Sequence, residues 1–485
     1  MAQNRGRRTI VVSNRGPVTF SRGESGEREH SRGAGGLVTA LNAVLRQVGD
    51  AVWIASTQSE EDAAVSREAA PYEVEDLRVT LVEHDPVAYD LMYNKLANPL
   101  LWFVQHGLYD LPYSPVLGDD TREAWEEGYV AVNRNFAEAV ADAVRDEESP
   151  TVLLHDYQLY MTPHFVRKRL GAGAFLSLFV HIPWPEPDLW RVLPAYMREG
   201  VLESLLQANV VAFHTRCYAR NFAETAVAVL GAEADVENGM IHHKGREVWV
   251  RAYPISIDPS EFEELARSEA VLEQERLVKD LPGKLLLRVD RVDLSKNVVR
   301  GFQAYGRMLE RHPEMAGVVT FLAQLQPSRT NIPEYSAYME AVGRTAEEVN
   351  ERHGTDSWRP IELFMEDNFL RSVAAYKNFD VLLVNAVRDG MNLVAKESAV
   401  INERDGVLVL SENAGAHEEL GEHALTVNPY DIDEQADAIY EALTMSADDR
   451  ERRAKALRET VMGNTIDDWV EAQMEDISAY RERNW

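Results

Sequence analysis

The segment from Asp389 to Glu397 carries residue types that could bind an activated sugar. It follows an apolar run, residues 380–384, which is typical of a buried parallel strand, and Asp389-Gly390 is a turn signal ahead of a helix. A strand, a glycine turn and a helix N-terminus present backbone N–H groups and a positive dipole end, where phosphate binds well. Asp389 could accept hydrogen bonds from sugar hydroxyls, and Glu397, about two turns into the helix, from a ribose diol. The segment therefore indicates a nucleotide-sugar site, although an ordinary strand–loop–helix with two solvated carboxylates has the same pattern.

Two cations follow another predicted strand, residues 284–289, in the loop before a helix that ends near Arg311. Arg291 and Lys296 lie in a strand-to-helix loop, where a diphosphate leaving group would need positive charge. Surface basic residues are common, so each of them alone is weak evidence for function.

Polar side chains also end two successive predicted strands in the first half of the chain. Asp156 comes shortly after residues 152–154, and His181 follows residues 175–180. In open α/β sheets ligands collect beyond the carboxyl ends of the strands, so both side chains would share one crevice if their strands are neighbours. The alternative for His181 is a structural histidine that ends a strand before a proline turn.

The N-terminal strand, residues 9–12, leads into a polar loop that contains Arg15 and into a glycine cluster, residues 33–36. A helix follows this cluster through about Gln47, which makes a second candidate anion site. Glycine clusters also occur in linkers, and Arg15 could equally be a solvated loop arginine.

Composition limits the class of protein. The chain has 485 residues, of which 45% are hydrophobic and 27% charged, so a soluble protein of two large domains is expected. Fifty Lys and Arg against 80 Asp and Glu give a net charge of −30, which argues against nucleic acid or an anionic membrane as a partner. The single cysteine, Cys217, excludes an internal disulfide framework and favours a cytoplasmic location. No Cys/His spacing predicts a metal site.

Strand and helix signals alternate in both halves, which predicts an α/β architecture. We predict an N-terminal Rossmann-like domain over residues 1–256 and a second over residues 257–462. Two prolines near residue 256 mark the boundary, and a charged helix is expected over residues 261–281. A C-terminal helix, residues 463–485, is expected to pack back on the first domain.

Seven motifs then appear in order along nearly the whole chain, from about Ile10 to beyond Tyr430. They are Ser13-Asn14-Arg15, Gly35-Gly36-Leu37, His155-Asp156-Tyr157, Phe179-Val180-His181-Ile182-Pro183, the run from Asp290 to Lys296, the run from Arg388 to Glu397, and Asn428-Pro429-Tyr430. Together they resemble the trehalose-6-phosphate synthase family of retaining glycosyltransferases. The resemblance implies a GT-B fold, with two doubly wound Rossmann-like domains that face a central cleft.

The resemblance also implies roles at a donor site, with no cofactor and no metal. Arg291 and Lys296 match the cations on the donor diphosphate, Asp389 the carboxylate on the transferred glucose, and Glu397 the ribose ligand. His181 matches the histidine at the donor sugar beside the reaction centre, so His181, Asp389, Arg291 and Lys296 are the expected catalytic residues. Backbone positions complete the donor site: Gly36, Gly390, Met391, Asn392, Leu393 and Val394. The donor base is expected to be read by backbone groups near Asn368 and Phe369.

On the acceptor side, Asp156 matches the carboxylate that holds sugar hydroxyls. The cluster that grips the sugar phosphate of glucose 6-phosphate is matched by Arg15, Tyr93, Trp102 and Arg329. The implied reaction joins glucose from a nucleoside-diphosphate glucose to glucose 6-phosphate and gives α,α-trehalose 6-phosphate. It would proceed by front-face attack, with a leaving-phosphate oxygen helping to remove the acceptor proton. UDP- and GDP-glucose are both open as donors, and a homo-oligomer is left open.

Two positions depart from the family pattern. Gln158 stands where many relatives carry histidine, and Asn297 where many carry glycine. Both features resemble a neighbouring group, the validoxylamine-phosphate synthases, which however depart from the runs around Lys296 and Asp389 that are intact here. Glucosylglycerol-phosphate synthase is a second enzymatic alternative that differs in the acceptor. A non-catalytic regulator that binds nucleotide sugars is the third alternative, and it would require a missing donor or acceptor contact.

Overall fold

The computed structural model describes residues 8–23, 25–33, 36–68 and 70–484. The chain divides into two compact units: unit 1 comprises Met1–Ile255 with Asp467–Trp485, and unit 2 comprises Ser256–Ile466. Within the described residues, no helix has the length and apolar character needed to cross a membrane.

Unit 1 is built on a ten-stranded sheet in the order β10-β11-β12-β9-β8-β7-β1-β4-β6-β5. Strands β6, β4, β1, β7, β8, β9 and β12 pair in parallel, and a separate hairpin is formed by β2 and β3. The chain winds outward from β1 in one direction and then returns to start again at β7, so the two neighbouring strands flank a topological switch point. The strands are β1 (Thr9–Val12), β2 (Val18–Arg22), β3 (Arg28–Arg32), β4 (Ala51–Ser56), β5 (Tyr72–Val74), β6 (Leu77–Val82), β7 (Thr151–His155), β8 (Phe175–Phe179), β9 (Val210–Phe213), β10 (Glu233–Asp235), β11 (Met240–His243) and β12 (Arg246–Ala252).

Helices connect the parallel strands of unit 1, as right-handed crossovers between parallel strands require. They are α1 (Gly36–Val48), α2 (Glu60–Glu68), α3 (Pro86–Asp90), α4 (Trp102–His106), α5 (Asp119–Glu123), α6 (Ala131–Ala143), α7 (Thr162–Leu170), α8 (Pro187–Trp190), α9 (Ala195–Leu205) and α10 (Arg216–Leu230). Strands β1, β7, β8 and β9 are buried along their whole length, because helices cover both faces of the sheet.

Unit 2 is a six-stranded, fully parallel sheet in the order β15-β14-β13-β16-β17-β18, with its switch point between β13 and β16. Its strands are β13 (Lys284–Arg291), β14 (Val319–Gln326), β15 (Ile361–Met365), β16 (Val381–Val384), β17 (Val407–Ser411) and β18 (Leu425–Val427). Its helices are α11 (Pro259–Ala266), α12 (Glu269–Lys279), α13 (Val298–Arg311), α14 (Pro333–His353), α15 (Phe369–Asn378), α16 (Leu393–Ile401), α17 (His417–Leu420), α18 (Ile432–Thr444) and α19 (Ala447–Met462). Both units therefore show the Rossmann strand order.

The last helix, α20 (Ile466–Asn484), packs on the sheet of unit 1. Arg481 donates to the Thr151 hydroxyl at 2.9 Å, and the Tyr480 hydroxyl donates to the Glu247 carbonyl at 3.0 Å. Asp476 accepts from Arg251 at 3.1 Å and from the Tyr253 hydroxyl at 2.6 Å. The final helix is therefore held by polar contacts as well as by its apolar face.

Two local predictions were wrong, and one further element was not predicted. The segment after β1 was expected to be a loop, yet it contains the β2–β3 hairpin, whose second strand is almost fully exposed. The single helix expected over residues 261–281 is two helices, because Ser268 interrupts it and caps α12 by accepting from the Val271 amide. Tyr93 lies in a π-helical segment, Leu91–Leu101, that no periodicity in the sequence indicated.

Candidate active site

The loop after β16 is fixed by a second loop that follows β17. The Gly415 amide donates to the Asp389 carbonyl at 3.1 Å, and the Ala416 amide donates to the Met391 carbonyl at 2.7 Å. A Cβ atom at Gly415 would lie 2.0 Å from the Gly390 carbonyl oxygen, so only glycine fits there. Asn392, at φ 79°, then caps α16 by accepting from the Ala395 amide. The N–H groups of the first turn of α16 have no partner inside the helix, which makes this end suitable for an anion.

Four charged side chains meet between the ends of β13 and β16, and we call them the cation–carboxylate group: Arg288, Asp290, Lys296 and Asp389. Lys296 Nζ lies 2.5 Å from Asp389 Oδ2 and 3.9 Å from Asp290 Oδ1. Arg288 Nε donates to Asp290 Oδ2 at 3.0 Å, and the same guanidinium bonds the Lys296 carbonyl. Two cations thus balance two carboxylates at the switch point of unit 2.

The charges in this group are maintained by one another. Burial works to lower the pKa of Lys296, but the Asp389 and Asp290 carboxylates outweigh it and the pKa is raised. Burial raises the pKa of Asp290, against the opposing effect of Arg288 and Lys296. Lys296 is therefore a fixed cation at neutral pH, which a diphosphate requires.

The loop between β13 and α13 positions Lys296 through Asp293. This fully buried carboxylate accepts from the Ser295 amide at 3.0 Å and from the Ser295 hydroxyl at 2.9 Å, which forms the turn Leu294–Lys296. Arg291, the last residue of β13, is exposed. The two predicted diphosphate cations therefore lie at the end of β13 and in the turn that follows it.

The backbone and side-chain contacts of Asn297 explain why asparagine can stand at this position in place of glycine. Asn297 sits at φ 61°, in the left-handed region that favours glycine, where asparagine is the next best tolerated residue. Its side-chain amide donates to the Asn385 carbonyl at 2.9 Å and to the Pro429 carbonyl at 2.7 Å. Asparagine therefore adopts the required backbone and ties together three segments that surround the cation–carboxylate group.

Glu397 lies half-buried on α16 and accepts a hydrogen bond from the Tyr376 hydroxyl at 3.2 Å. Burial raises the pKa of Glu397 to about 7. Asn368 caps α15, while Phe369 is 51% exposed beside Phe262. The Asn368 side chain makes this cap by accepting from the Arg371 amide at 2.9 Å.

In unit 1 the structure brings Asp156 and His181 together, because β7 and β8 are parallel neighbours. Asp156 has φ 78°, and its Oδ1 accepts from the His181 amide at 3.2 Å. The Asp156 amide in turn donates to the Phe179 carbonyl at 2.7 Å. Both residues therefore end their strands at the same sheet edge.

His181 belongs to a histidine cluster that also contains His155 and His214. His155 Nδ1 lies 3.1 Å from His181 Nε2, and the rings of His181 and His214 are 5.0 Å apart. Phe179 stacks on His181 with ring centroids 4.5 Å apart. Burial lowers the pKa of His155 to about 3, and burial with the two neighbouring imidazoles holds that of His181 well below its usual value. His181 is therefore neutral and unsuited to act as a general acid.

The predicted sugar-phosphate residues lie in both units. The exposed Arg15 lies close to Tyr93, with Nη2 3.4 Å from its hydroxyl, and Tyr93 stacks on Tyr89 at 5.8 Å. Trp102 is buried and stacks on His106 with centroids 4.1 Å apart. Arg329 belongs to unit 2, where its guanidinium bonds Asp293 Oδ2 at 3.1 Å and also the Tyr335 hydroxyl.

Gly36 begins α1, while Ala34 and Gly35 of the same glycine cluster lie outside the described residues. Sequence reasoning gave no role to Arg288, His155 or His214. An arginine inside the apolar strand β13 is a signal that could have identified Arg288, because a buried cation needs a partner. For the two histidines the sequence offers no comparable signal, since only the fold brings them next to His181.

The model of glycosyltransferase family 20 matches residues 7–479 of the chain. The chain is 34% identical over 483 residues to an α,α-trehalose-phosphate synthase (UDP-forming) of Botryotinia fuckeliana, which covers 98% of this chain and 89% of that protein. It is 36% identical over 482 residues to a bifunctional trehalose-6-phosphate synthase/phosphatase of Thermoproteus tenax, covering 95% of this chain but 62% of that longer protein. It is also 30% identical over 452 residues to a validamine 7-phosphate valienyltransferase of Streptomyces hygroscopicus subsp. jinggangensis, which covers 90% of this chain and 88% of that protein.

Solved structures agree over almost the full length. An E. coli structure bound with UDP-2-fluoro glucose superposes with a TM-score of 0.83 at 28% identity, covering 97% of this chain and 98% of that chain. An α,α-trehalose-phosphate synthase (UDP-forming) of Burkholderia xenovorans in complex with glucose-6-phosphate gives a TM-score of 0.82 at 29% identity, covering 98% and 100%. The predicted α/β class, a GT-B fold of two Rossmann-like units, is confirmed by this likeness. The chain is a member of glycosyltransferase family 20.

Proposed function

We propose that the chain is a retaining glucosyltransferase that makes α,α-trehalose 6-phosphate from a nucleoside-diphosphate glucose and glucose 6-phosphate. The observation that carries the proposal is the cation–carboxylate group at the switch point of unit 2, beside the N-terminus of α16. Related structures bound with UDP-2-fluoro glucose or in complex with glucose-6-phosphate support this choice of substrates.

In the proposed donor site, Lys296 and Arg291 bind the diphosphate together with the backbone amides of residues 390–394. Donor binding exchanges partners at Lys296: the diphosphate takes over the ammonium group, and Asp389 turns its carboxylate to the hydroxyls of the glucose. Arg288 keeps Asp290 neutralised during this exchange. Glu397 accepts from the ribose diol, and Gly36 is assigned a backbone contact with the donor.

In the proposed acceptor site, Asp156 accepts from the hydroxyls of the sugar phosphate. We assign the binding of its phosphate group to Arg15, Tyr93, Trp102 and Arg329. The contact between Arg15 and Tyr93 supports this assignment. The positive φ of Asp156 also supports it, because backbone strain of this kind is concentrated at functional sites.

Breaking the anomeric bond builds positive charge on the sugar and negative charge on the departing diphosphate. Preformed cations and helix amides stabilise the negative charge on the diphosphate. Electrostatic stabilisation of this kind is usually the largest single contribution to an enzyme's rate enhancement. Positioning the acceptor hydroxyl on the same face as the leaving group preserves the anomeric configuration. An oxygen of the leaving phosphate then takes the acceptor proton as the new glycosidic bond forms.

A second candidate is coupling of a valienol unit to an aminocyclitol phosphate. The likeness to a validamine 7-phosphate valienyltransferase over 452 residues favours it, as do Gln158 and Asn297. It differs from the first candidate in both substrates and would use the same diphosphate site.

The test is a crossed assay with purified protein. UDP-, GDP- and ADP-glucose are each combined with glucose 6-phosphate, glycerol 3-phosphate or validamine 7-phosphate, and nucleotide release is followed while NMR identifies the product. We expect release that depends on glucose 6-phosphate and yields the α,α-linked disaccharide phosphate. Release with glycerol 3-phosphate alone, or transfer only from a nucleotide-activated valienol to validamine 7-phosphate, would overturn the proposal.

A further inference from the structure

His155 is a buried imidazole that contacts the candidate reaction centre only through another residue. It is 2% exposed at the end of β7, and its Nδ1 lies 3.1 Å from His181 Nε2. Its other nitrogen, Nε2, is buried and has no hydrogen-bonding partner among the residues that the structure describes. One nitrogen of the His155 ring is therefore hydrogen-bonded to His181, and the other makes no hydrogen bond within the described part of the chain.

Both rings of this pair are neutral. Burial lowers the pKa of His155 to about 3, and the pKa of His181 is held well below its usual value by burial, His214 and His155. A neutral imidazole carries one N–H and one bare nitrogen, and which nitrogen holds the proton is set by its partners. The shared hydrogen bond therefore allows only two arrangements of the two protons.

In the first arrangement His155 Nδ1 donates to His181 Nε2, which leaves the His181 proton on Nδ1. In the second, His181 Nε2 donates, and the His155 proton must lie on Nε2, where it has no acceptor. A buried N–H without an acceptor loses its hydration without replacement, and such orphaned donors are rarer in proteins than under-satisfied acceptors. The first arrangement is therefore the favoured one.

We infer that His155 is a positioning residue that donates from Nδ1 to His181 and holds it as the Nδ1–H tautomer. The tautomer follows from the contacts of the histidine pair, whereas the identity of the substrate that His181 contacts rests on the proposed function. With Nε2 occupied, Nδ1–H is the ring group that His181 can offer to a substrate. His181 then acts as a hydrogen-bond donor to a sugar or phosphate oxygen, and it has no basic nitrogen left to remove the acceptor proton.

The rest of the histidine cluster restrains the ring that His155 orients. Phe179 stacks on His181 at an interplanar angle of 23°, and His214 packs edge-on at 61°. The His181 backbone is fixed separately, because its amide donates a hydrogen bond to Asp156 Oδ1. These contacts restrict the tilt of the ring, and the bond from His155 selects its protonated nitrogen.

The direct test is NMR of the full chain with 15N-labelled histidine, in the absence of substrates. The His181 signals are identified by their loss in His181→Gln. We expect the pattern of a protonated Nδ1 and a bare Nε2 at neutral pH. A protonated Nε2 on His181, or fast averaging between the two tautomers, would overturn the inference. Because no substrate is added, this result is independent of whether the proposed reaction occurs.

A variant pair supplies the kinetic test. His155→Asn retains an amide donor near the position of Nδ1, whereas His155→Leu fills similar space with none. We expect His155→Leu to lower kcat about 10- to 100-fold with little change in nucleotide affinity, and His155→Asn to stay within about threefold of the parent. Equal losses in the two variants, with equal thermal stability, would show that His155 only fills space and would overturn the inference. If the leucine variant fails to fold, the NMR measurement on the parent still decides.

Discussion

Beside the switch point of unit 1 lies a histidine cluster in which burial keeps His155 and His181 neutral, whereas the switch point of unit 2 holds lysine, arginine and carboxylates paired as ions. The strand order around each switch point is the same, with β1 beside β7 in one unit and β13 beside β16 in the other. Asp156 and Arg15 follow the first pair of strands, and Lys296 and Asp389 follow the second. The two halves thus place charged side chains at equivalent positions, and unit 1 adds the neutral imidazoles of His155 and His181 beside them.

This difference depends on whether the buried groups have counter-charges next to them. The histidine cluster has no counter-charge among its rings, so burial drives His155 and His181 to their neutral form. The cation–carboxylate group contains two charges of each sign, and its carboxylates raise the pKa of Lys296 although burial acts to lower it. A neutral hydrogen-bonding surface suits sugar hydroxyls, and fixed cations suit a diphosphate, which is the division of labour that we propose.

The largest expected effect comes from removing the fixed cation of unit 2. Lys296→Ala leaves Asp389 and Asp290 without their shared partner and removes charge from the departing diphosphate, so kcat should fall by about 10²-fold or more. The matched control is Arg307→Ala on the exposed face of α13, which removes a surface ion pair with Glu310 and should leave kcat unchanged. Steady-state kinetics with saturating donor make the comparison. Near-normal turnover by Lys296→Ala would exclude Lys296 from stabilising the departing diphosphate.

Arg291→Ala is expected to behave similarly, with a loss of at least about 10²-fold in turnover. Arg291 is exposed, so its loss should affect the free energy of unfolding much less than that of Lys296. Single-turnover kinetics and thermal melting separate the two effects. A variant with unchanged turnover would exclude Arg291 from charge stabilisation.

We expect Arg329→Ala to lower acceptor affinity about 10- to 100-fold, because it removes a charged hydrogen bond from the guanidinium to the acceptor phosphate. Donor affinity, measured by calorimetry, should change by less than about threefold. Tyr335→Phe is the control, because it removes only the hydroxyl that contacts Arg329 and Asp293. Equal losses of donor and acceptor affinity would reject the assigned role of Arg329.

The pH dependence should separate the two switch points. Glu397 has a pKa of about 7 before donor binding, so at pH 6 about a tenth of it is ionised and at pH 8 about nine-tenths. Ribose hydroxyls donate to the carboxylate, so donor affinity should rise roughly tenfold from pH 6 to pH 8. A nucleotide sugar is the right probe, because its esterified diphosphate does not titrate in this range.

Two further comparisons test this prediction. Glu397→Gln should bind the nucleotide sugar with an affinity that no longer changes between pH 6 and pH 8. His155, with its pKa of about 3, contributes nothing to the same window. A dependence that persists in the glutamine variant would locate the titrating group elsewhere.

The smallest expected effect is on stability, at Asn297. Asn297→Gly relieves the left-handed strain but loses the bonds to the Asn385 and Pro429 carbonyls, so it should destabilise unit 2 by about 1 kcal/mol. Thermal unfolding should shift down by about 2–4 °C. Asn297→Ala keeps the strain and loses the same bonds, and it should be the less stable of the two. The reverse order would contradict our account of this position.

The parts of the site that the sequence predicted lie where an apolar strand runs into a glycine or charged loop. Residues 380–397 and 284–296 show this pattern, and the structure has β16, α16 and β13 there. The β2–β3 hairpin was not predictable in the same way, because its strands are rich in polar residues and lack an apolar alternation. The π-helical segment that carries Tyr93 depends on tertiary packing and leaves no periodic signal.

The contacts that determine charge could not be predicted from the sequence. Arg288 and Asp290 are neighbours on β13, but Lys296 and Asp389 are 93 residues apart and follow two different strands. The pairing of His155 with His181 needs β7 and β8 to be neighbours in register. Long-range adjacency of this kind is a property of the strand order, which short motifs do not encode.

A structure of the chain with a nucleoside diphosphate and glucose 6-phosphate tests the central claim most directly. We predict that the diphosphate contacts Lys296, Arg291 and the N-terminus of α16, with the Lys296–Asp389 ion pair opened. A nucleotide bound elsewhere, with that ion pair intact, would contradict the account.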